Sequence, residues 1–242
     1  LFSSILGGGE APRAEGGRKA PRNTCNQSRP LAQWLMESPD PDLDGAYALQ
    51  TPEDNRAYYR AWAARYDSDF AATMNYRLPN LVAAALQGVE GPVLDVGAGT
   101  GLLGAALGAR GLGPIDGVDL SPEMLAEAQA KGCYRHLVLA DLTQPLPPLH
   151  GPYQGVASSG TFTHGHVGPE ALDALLDVAA PGARFAFSVN AGVWEARGFA
   201  AALMRLSPRI AGLTIADEPI YRDAPDPAHA ADRAMIVAFA RI

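Results

Sequence analysis

The chain has 242 residues, a formal net charge of −7, a sequence pI near 5.2 and 48% hydrophobic residues. That length suits one large domain or two small ones, and the apolar fraction is too high for a wholly disordered chain. The acidic balance speaks against binding nucleic acid by phosphate neutralisation, and no apolar run reaches the roughly 18 residues of a membrane-spanning helix.

Residues 1–50 differ from the rest. Glycine runs at 7–9 and 16–17 and prolines at 12, 21, 30, 39 and 41 break any periodicity. Such a segment buries too little apolar surface to offset its ordering entropy. We expect 1–28 to be disordered and 29–50 to be extended or partly helical. The opening LFSSIL run is too short, and lacks the basic start, for a secretory signal. Cys25 and Cys133 lie far apart with no CxxC pattern, so two reduced thiols and no metal site are expected in a cytoplasmic protein.

From Pro52 the pattern turns helical. Glu53 and Asp54 suit a first turn, and Tyr58, Tyr59, Trp62, Ala63 and Tyr66 recur at helical spacing. A second helix is expected over Leu81 to Gln87. The aromatic stripe has two readings, core packing or a lid over a ligand, and 51–88 is the lid segment in the second.

After Gly88 strands and helices alternate. Strands are expected at 92–96, 115–119, 136–140, 155–159 and 184–189. The helices between them cover 101–111, 122–131 and 169–179. Ser121 and Pro122 open one of these helices, and Gly132 closes it. A helix over about 192–206 and two strands, near 212–221 and 234–241, complete the chain. The last two strands have no helix between them and should pair antiparallel. Alternation with short links means an α/β fold, a doubly wound and mostly parallel sheet covered on both faces. Ligands bind such sheets beyond the carboxyl ends of the strands.

Those strand ends carry the chemistry. Asp95-Val-Gly97-Ala98-Gly99-Thr-Gly101 has glycines that let backbone approach a ligand. It departs from the dinucleotide fingerprint, because Leu102 stands where the third glycine would be, which disfavours a nicotinamide oxidoreductase. Asp119 ends the second strand, where a carboxylate can accept from both hydroxyls of a ribose. Asp141 follows the third strand, where it either caps a turn or accepts from a purine amino group, with Leu142 as apolar neighbour.

Together the motifs VLDVGAGTG (93–101), VDLSPEML (118–125) and ADL (140–142), followed by GPYQGVASSGTFTH (151–164), resemble the class I S-adenosylmethionine-dependent methyltransferases. The similarity is greatest to small-molecule members of the quinone-biosynthesis and methyltransferase-like type. It implies a Rossmann-like domain over 89–242 with a seven-stranded sheet in the order 3-2-1-4-5-7-6, the last strand antiparallel. The implied cofactor is S-adenosylmethionine, with S-adenosylhomocysteine as product, in a monomer or homodimer that methylates a small molecule; from charge and apolar patterning no nucleic-acid partner and no membrane span are expected. The implied cofactor contacts are Gly97, Ala98 and Gly99 for the methionine portion, with Asp95 near its ammonium. Asp119 would hold the ribose, Leu120 and Met124 would flank the adenine, and Asp141 and Leu142 would meet its edge. Ser158 or Ser159 would lie by the sulfonium, Tyr66 would reach in from the lid, and Arg77 would pair the cofactor carboxylate.

The fourth strand is not followed by the Asn/Asp-Pro-Pro-Tyr pattern of exocyclic-amine methylation, nor by a cysteine nucleophile. It leads instead to Thr161-Phe-Thr-His164-Gly-His166. Either imidazole can act as a base near neutral pH. His164 occupies a position where the resembled family carries histidine, which suits architecture, so His166 is the better catalytic candidate. Two other readings use the same motifs. One is a non-catalytic cofactor-binding protein that works through a partner. The other is aminopropyl transfer, which would want acidic residues that the tip after Ser159 lacks.

Overall fold

The computed structural model describes residues 42–49, 51–223 and 227–242. The expectation of disorder over 1–28 lies outside those residues. Helix α1 (Leu43–Tyr47) precedes α2 (Pro52–Trp62). A reciprocal cap starts α2: Thr51 Oγ1 accepts from the Asp54 amide at 3.1 Å, and Asp54 Oδ2 accepts from the Thr51 amide at 3.2 Å. The expected single helix then loosens into a 3₁₀ turn (Ala63–Arg65) and a π-helical stretch (Tyr66–Ala72). Helix α3 (Leu78–Ala85) begins three residues earlier than expected. Pro79 fits within its first turn, where a missing N–H costs nothing.

The rest is strand β1 (Val93–Val96), α4 (Leu102–Gly108), β2 (Ile115–Asp119), α5 (Pro122–Ala130), β3 (His136–Leu139), β4 (Tyr153–Phe162), α6 (Ala171–Val178), β5 (Ala179–Asn190), α7 (Ala191–Trp194), α8 (Phe199–Leu206), β6 (Ile210–Pro219) and β7 (Arg233–Arg241). The seven strands form one sheet in the order β3-β2-β1-β4-β5-β7-β6, and β7 runs antiparallel to both its neighbours. The order is therefore the expected one.

Three boundaries differ. The fourth strand starts at Tyr153 and runs to Phe162, because Tyr153 is fully buried and pairs with Ala179. The fifth strand reaches back to Ala179, so α6 stops at Val178. The helix expected over 192–206 is two pieces, broken where Gly198 takes φ 71. That left-handed conformation cannot continue a helix.

The central strands read apolar because both faces of the sheet are covered. Val93, Leu94, Val96 and Val118 are fully buried. One apolar cluster packs α6 to α8 on the sheet through Leu172, Leu176, Phe185, Phe199 and Leu203. The other packs the lid, α3 and α4 through Trp62, Phe70, Val82, Leu86 and Leu107. The helices of the 51–72 segment thus belong to the second core, and Tyr59 and Tyr66 of the aromatic stripe also face the cleft. Asp116 is a buried charge that is fully paired: Arg135 grips both of its oxygens at 2.9 and 2.7 Å, and Tyr153 Oη donates at 3.0 Å. Among the described residues no helix is long and apolar enough to cross a membrane, and no group of three or more metal-ligating side chains occurs.

Candidate active site

The strand order reverses between β1 and β4, so the loops after these strands part and leave a crevice. A cleft with ≈ 1000 Å³ of empty space, counted out to its mouth, fills it. Gly97, Ala98, Gly99, Asp119, Leu120, Met124, Asp141, Leu142, Ser159, Tyr66 and His166 all line this cleft. Four sequence segments and the lid thereby meet as expected.

Local geometry explains the glycines. Gly97 (φ 70) packs so closely on Thr161 that a β-carbon would collide with it. Gly99 (φ 53) has open space where a β-carbon would stand, so the backbone itself forms the cleft floor. Above that floor Asp119 is already oriented. Its Oδ2 accepts from the Gly99 amide at 2.8 Å and its Oδ1 from the Ser121 amide at 2.9 Å. Burial raises its pKa, and these amides oppose the rise by favouring the carboxylate. Each oxygen keeps a further lone pair, so the carboxylate can still accept from a vicinal diol. Ser121 also caps α5, accepting from the Met124 amide at 3.2 Å, which fixes Met124 at the cleft wall. Asp141 Oδ1 accepts from the Thr143 amide and hydroxyl at 2.9 and 2.6 Å, which leaves Oδ2 for a ligand.

The lid is latched over the glycine turn. Thr100 Oγ1 donates to Asp67 Oδ1 at 2.5 Å, and Lys131 Nζ reaches Asp67 Oδ2 and the Thr100 carbonyl, each at 2.5 Å. The π-helical stretch turns Asp67 to this contact and keeps Tyr66 on the cleft. Such widened turns recur at functional sites.

Four expected contacts are placed elsewhere. Asp95 is fully buried away from the cleft wall, accepting from Tyr134 Oη at 2.7 Å. Burial pushes its pKa up to about 7, with the Tyr134 bond opposing and the Asp119 charge adding. It braces the turn from beneath, because strand alternation points residue 95 to the helix side. Arg77 turns to strand β6, donating to the Pro219 carbonyl at 3.0 Å and pairing with Glu218 at 3.4 Å. Ser158 is buried and donates to the Val96 carbonyl at 2.7 Å, so only Ser159 of the pair faces the cleft. His164 packs near Gly192 and Asn190, outside the cleft lining. Of the two histidines, His166 alone lines the cleft, its ring edge-on to Tyr59 with centroids 5.5 Å apart. Burial, then the Arg197 and His164 charges, push its pKa down to about 4. Its Nε2 is buried without a hydrogen bond among the described residues.

Arg56, Tyr76 and Thr161 also line the cleft, and sequence reasoning did not single them out as ligand contacts. Arg56 follows the lid's capping box on the same helix as Tyr59, three residues on, and that i, i+3 relation was the available signal. Its guanidinium lies 3.9 Å from Glu53 through one terminal nitrogen, while its Nε is buried without a hydrogen-bond partner among the described residues and can donate to a ligand carboxylate. Tyr76 lies beside Ser159, and burial pushes its pKa up to about 12. A glycine floor, a preset diol acceptor, an apolar slot at Leu120 and Met124 and an arginine with a free Nε donor have the chemistry to meet the portions of S-adenosylmethionine.

Comparison with known proteins agrees. Residues 93–182 match the methyltransferase domain family. Human methyltransferase-like protein 27 is 42% identical over 125 residues, which are 49% of this chain and 51% of that protein, so the match spans about half of its length. The fold resembles magnesium protoporphyrin IX methyltransferase from Synechocystis PCC 6803, with TM-score 0.57, 21% identity, and coverage of 81% of this chain and 99% of that one. It also resembles an N-methyltransferase from Bradyrhizobium japonicum, with TM-score 0.54, 15% identity, and coverage of 78% and 96%. The segment that matches the methyltransferase domain family, residues 93–182, thus carries the glycine turn, Asp119 and Asp141 on a sheet in the order β3-β2-β1-β4-β5-β7-β6.

Proposed function

We propose that this chain is an S-adenosylmethionine-dependent methyltransferase acting on a small-molecule acceptor in the cytoplasm. The observation that carries the reading is the Asp119 carboxylate, preset by two backbone amides at the wall of a cleft whose floor is bare glycine backbone. Arg56 would take the cofactor carboxylate, Leu120 and Met124 would sandwich the adenine, and Asp141 would accept from its amino group. The bound cofactor supplies an activated methyl group on sulfur. The chain's task is then alignment and exclusion of water, which the latched lid performs. His166 is neutral near pH 7, because its pKa is held low, and its partnerless Nε2 is available to receive a proton from an acceptor. The cleft is of a size that suits a small molecule beside the cofactor, and the similarly folded Synechocystis enzyme is named for magnesium protoporphyrin IX.

Calorimetry on the full chain with S-adenosylmethionine and S-adenosylhomocysteine tests the reading. Each charged hydrogen bond contributes about 1.5–3 kcal/mol, so Asp119→Ala should weaken binding by at least about tenfold. Asp119→Asn, which keeps the size, should lose less. Unchanged affinity in a folded Asp119→Ala variant would sink the assignment. Labelled methyl transfer from the cofactor into small-molecule extracts reports turnover. Binding without transfer to any acceptor would favour a non-catalytic cofactor-binding protein instead.

A further inference from the structure

A second cavity, open at its mouth and with ≈ 490 Å³ of empty space counted out to that mouth, lies against the first. Tyr59, Tyr66, Tyr76 and Gly160 line both, so the two cavities adjoin at these residues. The remaining wall is largely apolar and aromatic, with Trp62, Phe70, Phe162 and Tyr221 its largest members. Tyr59 and Trp62 lie nearly parallel, 18° between planes and 6.2 Å between centroids. No acidic, basic or histidine side chain lines this cavity among the described residues, in contrast to the first, which has Arg56, Asp119 and Asp141.

Its polar groups are unusual in kind. Trp62 Nε1 and Thr163 Oγ1 are both buried, and neither has a hydrogen-bond partner among the described residues. Buried donors without partners are costly and mark places where a bonding group is missing. Two further groups have spent only their accepting side. Ser188 Oγ accepts from the Gly160 amide at 3.0 Å, which leaves its O–H to donate. Asn190 Oδ1 accepts from the Gly192 amide at 2.8 Å, which leaves its amide NH₂. The cavity is therefore aromatic, uncharged and rich in donors.

We propose that this second cavity is the acceptor subsite, and that it takes an uncharged aromatic ring carrying hydroxyl and carbonyl oxygens. The proposal rests on the methyltransferase reading above and specifies its substrate. A ring stacks on the aromatic wall, and its oxygens satisfy the partnerless donors. A carboxylate, phosphate or ammonium would lose its hydration with no opposite charge to replace it, so charged acceptors are rejected. Transfer takes place where the two cavities adjoin, with the ring hydroxyl directed at the methyl carbon. A lone pair of one ring hydroxyl forms the new carbon–oxygen bond as the methyl carbon leaves sulfur, whose bonding pair stays on sulfur. The hydroxyl proton passes to His166 Nε2, which stands beside Tyr59 at the junction.

The test uses the full chain saturated with S-adenosylhomocysteine and titrated with dihydroxyacetophenone, benzoate and benzylamine. Dihydroxyacetophenone should bind at least about tenfold tighter than either charged ring, because each of these buries an uncompensated charge. Thr163→Val removes a donor at constant shape and should weaken dihydroxyacetophenone several-fold, roughly the loss of one neutral hydrogen bond. Ala46→Phe, on α1 in the cavity wall, should abolish its binding by filling the space. Both variants should hold S-adenosylhomocysteine as the parent does, which also certifies their folding. Equal or tighter binding of the charged rings, or indifference to both substitutions, would overturn the proposal while S-adenosylhomocysteine still bound. Failure of the parent to bind S-adenosylhomocysteine would instead overturn the reading of the first cleft.

Discussion

Asp95→Asn isolates a charge that the fold holds against its own preference. The Asp95 carboxyl is fully buried, accepts one bond from Tyr134, and has its pKa pushed up to about 7 by burial. An ordinary aspartate titrates near 3.8. Between these values the folded chain keeps a proton that the unfolded chain has released. Stability is therefore fully present below the lower value and falls as pH rises to the upper one. The slope is about 1.4 kcal/mol per pH unit, so between pH 5 and pH 8 the loss has a ceiling of about 2–3 kcal/mol. Asparagine resembles the protonated acid and does not titrate. Relative to the parent, Asp95→Asn should gain that amount between pH 5 and pH 8, or roughly 5–10 °C in Tm for a chain of this size. Urea unfolding at both pH values measures it. His166 contributes an opposite slope, since burial pushes its pKa down to about 4 and its stability is lost as pH falls from 6.5. Only the variant-minus-parent difference at each pH is thus diagnostic. A difference that stays constant across the range would refute the reasoning. S-adenosylhomocysteine affinity should stay within about threefold of the parent, because Asp95 acts from beneath the turn rather than at the ligand.

Three further outcomes follow from the site. Arg56→Ala should weaken S-adenosylhomocysteine binding about tenfold or more through loss of a charged hydrogen bond, whereas Arg77→Ala should leave it unchanged and cost about 1 kcal/mol of stability at the β6 contact. Calorimetry and urea unfolding on both variants separate the two arginines. His166→Gln should lower turnover roughly 10²–10⁴-fold with cofactor affinity preserved, and His164→Gln should instead lower stability and disturb kcat and KM together. pH–rate profiles of both variants check this, and loss of a limb in His164→Gln alone would reverse the assignment. Lys131→Met should release the lid latch, at a cost of about 1 kcal/mol for a partly exposed pair, and speed hydrogen exchange over residues 63–72.

The sheet was legible because its signals are local and agree with one another. Val93–Val96 and Ile115–Asp119 are short apolar runs with turns at both ends, and each carries its functional residue at the carboxyl end. The glycines of 97–101 shape the cleft floor by backbone, and the Asp119 carboxylate is set by two backbone amides at a strand end, so their placement follows from position alone. The break at Gly198 and the extension of β5 through Pro181-Gly182 were hidden for the opposite reason. Helical spacing continues across Gly198, and a proline–glycine pair reads as a stop until Tyr153 and Ala179 are seen to pair. Tertiary pairing overrode the local signal there.

The side chains that reach into the cleft from outside the strand ends were harder, and the two arginines show why. Arg77 sits just before α3 in a polar turn and reads as a free cation. Its partner, Glu218, is 141 positions away on a strand whose placement beside the lid depends on the whole sheet order. Arg56 reads as an ordinary solvent-facing residue of α2, yet the same helix delivers Tyr59 to the cleft three positions later. The π-helical stretch adds a second shift of register that no heptad or 3.6-residue template contains, and it decides that Tyr66 faces the cleft while Asp67 takes the latch. Backbone-borne chemistry is thus fixed by short motifs. Chemistry borne by the lid depends on long-range packing, and the lid is also where the second cavity is built.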